Sequence, residues 1–139
     1  MHLQLRTTAR HSPPDVQKVL TALRNVNMLG IGGSNVEFGG ELVLVPQDDQ
    51  VDAATKALTD AGYTFRTLEV DKDPGLRLCV VDNTPGAFLA CLAKVSEENL
   101  AAGRIIRDIT ILVPDKDVPA GQIPVHIYSE EVRTAANVG

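Results

Sequence analysis

Tryptophan is absent, cysteine occurs twice and histidine three times, and aromatic residues make up 4% of the 139 residues. Any core must be filled by aliphatic side chains, and the 44% hydrophobic content suffices for one ordinary core or two thin ones. Positive charge is also scarce. Thirteen Lys and Arg against 18 Asp and Glu leave a net charge of -5, with no basic cluster to meet a phosphate backbone, so no nucleic acid partner is expected. No apolar run approaches the roughly 20 residues that span a bilayer. The opening MHLQLRTTARHSPP lacks the apolar stretch of a secretory signal, so a cytoplasmic protein without a membrane partner is expected.

The scarce reactive residues are also poorly placed for chemistry. Cys79 falls in a predicted strand and Cys91 on the apolar face of a predicted helix, which reads as two buried thiols rather than a disulfide, a metal site or a nucleophile. His2, His11 and His126 share no metal-ligand spacing. His126 sits between Val125 and Ile127, points away from the face those two bury, and reads as a surface histidine. Gly30-Ile31-Gly32-Gly33 lacks the Gly-Lys-Ser/Thr and the following helix of a phosphate loop. No Gly-x-Ser-x-Gly or comparable setting activates a serine. Neither a metal, a cofactor nor catalysis is expected.

What is present is an internal repeat. At an offset of 72, Ser12-Pro13-Pro14 falls on Thr84-Pro85-Gly86, and Val16, Val19, Leu20 and Leu23 fall on Phe88, Cys91, Leu92 and Val95. The apolar members recur at 3, 4 and 7, so each set gives one buried helical face packed on a sheet. After the first helix, Ser34 to Phe38 and Glu41 to Val45 flank Gly39-Gly40 and read as a hairpin. Val51, Ala54, Leu58 and Ala61 then give a second helix, capped by Asp48 or Asp49 and ended by Gly62, and Tyr63 to Val70 returns as a strand. The order β, α, β, β, α, β closes a first unit at residues 1–71. The second unit, 72–139, offers strand 76–81, helix 85–99, strand 104–113 and strand 122–128, and has no room for the last helix and strand. Its strand 76–81 is left at a sheet edge, where an apolar strand invites association. A continuous sheet and a homodimer are expected.

The most informative stretch is Leu76 to Val95, LRLCVVDNTPGAFLACLAKV, in which a strand runs through Asp82-Asn83-Thr84-Pro85-Gly86 into a helix. Thr84 suits the N-cap, Pro85 the first helical position, and Gly86 the first turn, where the lack of a side chain opens the amides to an anion. This strand, the Asp-Asn-Thr-Pro-Gly-Ala-Phe-Leu turn and the helix after it resemble the opening of an ACT domain, a βαββαβ regulatory module that binds amino acids.

The resemblance implies an α+β fold of tandem ferredoxin-like units, with helices on one face of an antiparallel sheet and the second unit truncated. It also implies a small-molecule sensor whose ligand is an amino acid or similar metabolite. The ligand would lie between a loop wall of Asp82, Asn83, Thr84, Pro85, Gly86, Ala87 and Phe88 and an opposite wall of Gly30, Ile31, Gly32 and Gly33. Pro14, standing where the second unit has Gly86, would make the first unit's loop degenerate. With no catalytic or DNA-binding domain fused to it, regulation would act on a separate enzyme or on an oligomer whose state the ligand shifts. The alternatives are a ligand-free interaction module and, more remotely, a glyoxalase-type metalloenzyme using His2, Glu41 and His126.

Overall fold

The computed structural model describes residues 2–7, 13–33 and 41–132. In chain order they form β1 (Leu3–Thr7), α1 (Pro13–Ala22), β2 (Met28–Gly33), β3 (Leu42–Pro46), α2 (Val51–Asp60), β4 (Phe65–Glu69), β5 (Leu76–Asp82), α3 (Ala87–Ala101), β6 (Arg104–Ile111) and β7 (Gln122–Glu131). The first four strands make an antiparallel sheet in the order β2-β3-β1-β4, and the last three make a second in the order β5-β7-β6. The second order reproduces the first with its final strand removed. The fold is therefore α+β, with two ferredoxin-like units of which the second is truncated.

Period-two alternation assigns each strand's side chains to two faces. On one face of the first sheet, Leu5, Leu42 and Leu44 pack with Val19 of α1, with Leu23 just beyond it, and with Ala54 and Leu58 of α2. On one face of the second, Val81, Val125 and Ile127 pack with Val95 of α3. The repeat is visible in this packing: Leu23 and Val95, equivalent at the offset of 72, are both buried. Helix α2 ends as its sequence predicts, at Gly62 with φ of 85° and with Tyr63 N–H donating to the Leu58 carbonyl.

The two remaining sheet faces meet each other. Val43 and Val45 of β3 pack with Leu29 and Leu112, and Leu68 and Val70 pack with Leu76 and Tyr128. A continuous sheet is thus replaced by two stacked sheets, since both inner faces carry apolar residues whose burial outweighs edge pairing. Edges β2 and β6 touch at one corner, where Val113 N–H donates to the Leu29 carbonyl at 2.7 Å.

Stacking also corrects the histidine. His126 does point away from Val125 and Ile127, but that face lies under the first sheet, so the ring is wholly buried and bonds Gln4 at 3.1 Å. Three local expectations change as well. The strand before β3 is Met28–Gly33, whereas Ser34 to Phe38 and Gly39-Gly40 lie outside the described residues. Asp48 and Asp49 sit in a 3-10 turn, and neither caps α2, whose N-cap is Gln50. Ser129 to Glu131 extend β7 beyond the expected strand 122–128.

Candidate functional site

Strand β5 delivers its chain into the turn Asp82 to Gly86, all of it exposed. Thr84 does not cap α3 and Pro85 is not in it. The N-cap is Gly86, at φ 83° and ψ -6°, and the Ala87 N–H donates to the Thr84 carbonyl at 3.2 Å. This is a type II turn with Pro85 and Gly86 at its two central positions. A β-carbon at Gly86 would meet nothing within 4 Å, so glycine is required here for its positive φ rather than for close approach. Because the Ala90 N–H already reaches the Gly86 carbonyl at 3.0 Å, the amides of Phe88 and Leu89 are first-turn donors without a helical acceptor. Asn83 is fixed through its backbone N–H, which donates to the Gly121 carbonyl, and Asp82 accepts from the Gln122 side chain at 2.9 Å.

Beside this turn a cleft of about 230 Å³ opens between α3 and the outer face of the second sheet. Its lining includes Val81, Phe88, Leu89, Leu92, Ile109 and Ile111. Leu89 and Ile111 remain 71% and 59% exposed. One helix covers three strands here, so the outward side chains of β6 are left partly bare. Of these residues only Phe88 was foreseen as part of a site. The alternation of Ile109 and Ile111 and the helical pair Leu89 and Leu92 carried the signal for the rest.

Gly30, Ile31, Gly32 and Gly33 lie in β2 and do not line this cleft. A β-carbon at Gly30 would lie 2.5 Å from Leu112 Cδ2, and one at Gly32 would lie 3.0 Å from Thr110 Oγ1. The space that these glycines leave is filled by β6.

The sheet stack holds a charged cluster that the sequence reading missed. Arg6, 2% exposed, donates to Asp108 through both terminal nitrogens, one bond at 3.2 Å, and to Glu41 and Gln4 at 3.0 and 2.9 Å. Its guanidinium lies 3.9 Å from the centre of the Tyr128 ring. Arg66 makes two bonds to Glu41 and one to the Tyr128 hydroxyl. The hydrogen bonds from Arg66, joined by the one from Arg6, hold the Glu41 carboxyl below its ordinary range despite burial. Asp108 reaches the inner face because β6 is bulged between Ile106 and Asp108: Ile106 packs in the α3 cluster, and the residue two positions on faces the other way. Every member is hydrogen-bonded within the cluster, so it joins the sheets and offers no open position for a reactant.

Cys79 and Cys91 are free and half-buried, and burial together with the neighbouring Cys91 thiol pushes the Cys79 thiol up to about 12. It is protonated at neutral pH. Among the described residues no three His, Cys, Asp or Glu side chains gather as a metal site. Glu41 is held by two arginines and His126 by Gln4. A second cleft, of about 400 Å³, is lined by Asp48, Asp49, Asp115 and Asp117 with Lys116 and Gln47, and its excess of carboxylates disfavours an anion. Among the described residues no helix is long and apolar enough to cross a membrane.

No protein-family model matches the chain, and no curated protein sequence matches it. Its fold is similar to that in the crystal structure of protein BT0572 from Bacteroides thetaiotaomicron, with a TM-score of 0.61 and 21% identity over 99% of this chain and 85% of that one. That likeness extends over both units and establishes the shared fold.

Proposed function

We propose that the protein is a non-catalytic, ACT-type regulatory protein of the cytoplasm that binds an amino acid at the Asp82 to Phe88 turn. The observation that carries this reading is the junction of two unlike surfaces: first-turn amides of α3 beside an apolar cleft. The carboxylate accepts from the Phe88 and Leu89 amides, favoured by the helix dipole, and Asp82 lies beside the turn to receive the ammonium. The side chain enters the cleft. At about 230 Å³ the cleft is smaller than the roughly 300–1,000 Å³ of drug and cofactor sites, which suits a small metabolite. Gly30 to Gly33 lie away from this cleft, and Thr110 and Leu112 fill the space beside Gly30 and Gly32. The bound form acts on a separate enzyme through whichever conformation the amino acid stabilises.

A thermal-shift titration against the twenty amino acids tests this. A ligand at about 100 times its dissociation constant stabilises the fold by roughly 2.7 kcal/mol. The expected result is a saturable shift for amino acids with apolar side chains. Ile111→Asp, which puts a charge into the cleft at a position exposed enough to spare the fold, abolishes it. No shift at millimolar concentrations would replace this reading with a ligand-free interaction module.

A further inference from the structure

Two stacked sheets present four strand edges, and three of them are occupied or protected. The β2 edge runs along β6, with Val113 N–H bonded to the Leu29 carbonyl and Gly30 and Gly32 closed against Leu112 and Thr110. That contact takes the β2 edge and the C-terminal end of β6, and the rest of the β6 edge is broken by the bulge between Ile106 and Asp108 and carries the charges of Arg104 and Arg107. The β4 edge is five residues long and charged. The backbone carbonyl of Glu69, at its end, already accepts from the Lys72 and Asp73 amides. Strand β5 is different. It is seven residues long, with the sequence LRLCVVD, and among the described residues only β7 pairs with it.

The register shows which groups are open. Ser129 N–H donates to the Gly75 carbonyl and Asn83 N–H to the Gly121 carbonyl, so the odd-numbered residues of β5 bond to β7. The even-numbered ones turn their backbone groups outward. The Leu76 N–H is taken by the Asp73 carbonyl, which leaves Leu78 and Val80 as the open centre of the edge. The devices that blunt a natural edge are missing: β5 holds no proline, no lysine and no bulge. Its one cation, Arg77, is tied to Glu98 at 2.6 Å. Val80 is 43% exposed.

We propose that the β5 edge is a homodimer interface, at which β5 of a second copy pairs antiparallel across a two-fold axis to form one six-stranded sheet. The first unit shows what this position accepts, because β4 pairs antiparallel with the equivalent edge of β1. Two-fold pairing of a strand with itself is antiparallel, so the edge is its own complement. Centring the axis on Cys79 sets Leu78 opposite Val80 of the second copy, in both directions, and engages the full strand. Arg77 would face Val81 of the second copy, and its charge is already balanced by Glu98, so the two-fold brings no unpaired like charges together.

Sedimentation or light scattering of the full chain decides the matter, with Val80→Pro and Val80→Lys as variants. Proline at 80 removes an outward donor and leaves the β7 ladder intact, and lysine adds an edge charge without altering the backbone, so one variant serves if the other fails to fold. The expected wild-type mass at micromolar concentration is twice 14.9 kDa, and either folded variant is expected to fall to the single-chain mass. In hydrogen exchange the Val80 amide is expected to be protected in the dimer and to lose protection on dilution. A wild type that stays monomeric at hundreds of micromolar would overturn the proposal. So would a dimer that survives both substitutions, or Val80 protection independent of concentration, which would mean that the chain covers its own edge.

Discussion

The two units share a strand order and differ in how well they are covered. In the first, two helices lie on four strands, and Leu5, Leu44, Ala54 and Leu58 are fully buried. In the second, one helix lies on three strands, and Phe88, Leu89, Ile109 and Ile111 keep much of their surface. The same topology thus yields a closed core once and a partly open one once. Burial at about 25 cal/mol per Å² of apolar surface makes the first unit the natural anchor of stability. The apolar cleft, the free first-turn amides and the open β5 edge all lie on the second. Truncation of a repeated unit exposes the surfaces on which binding can act.

The contrast can be broken most severely where the units join. Arg6→Met leaves Asp108 buried without its cation and Glu41 with Arg66 alone, and is expected to cost about 3–5 kcal/mol in urea unfolding. A loss below about 1 kcal/mol would show that the cluster is not what holds the sheets together. Within the first unit, Leu44→Ala is expected to cost about 2–5 kcal/mol. The matching change on the second sheet, Ile111→Ala, should stay within about 0.5 kcal/mol, since that side chain is more than half exposed. Equal costs at the two positions would erase the distinction between closed and open cores.

Acidity sharpens the comparison further. Glu41 has its carboxyl lowered by Arg66 and Arg6, so its contribution is full above an ordinary value of 4.5 and is lost as pH falls through the depressed folded value. The gap between wild type and Glu41→Gln, about 1–3 kcal/mol at neutral pH, is therefore expected to shrink as the buffer is taken below 4.5. A gap that stays constant down to pH 3 would remove Glu41 from the account of acid sensitivity.

Much of this architecture could be read from the chain. Helical spacing placed Val19, Leu23, Ala54, Leu58 and Val95 on their buried faces, and the missing last strand correctly put β5 at an edge. Alternation said which way His126 points but not what lies there, because the covering residue, Gln4, is 122 positions away. The Arg6 and Asp108 pair was hidden for the same reason, and because a bulge in β6 interrupts the period that would have assigned Asp108 a face. At the turn, Thr84 and Pro85 fit two local structures equally well. The Pro-Gly pair favoured the type II turn, and the capping pattern favoured a helix two residues longer at its start. The apolar residues of the cleft were legible as patterns, but not that they stay uncovered, because among the described residues one helix alone lies over the second sheet.

The bond between Arg6 and Asp108 also has a consequence in time. Its partners lie 102 residues apart, and it can close only once β1 and the bulged β6 have both taken shape, so it belongs to the last stage of assembly. Contacts made that late restrain escape from the native state more than they hasten arrival. The cluster acts as a latch: loosening it should leave the refolding rate nearly unchanged and shorten the lifetime of the assembled protein.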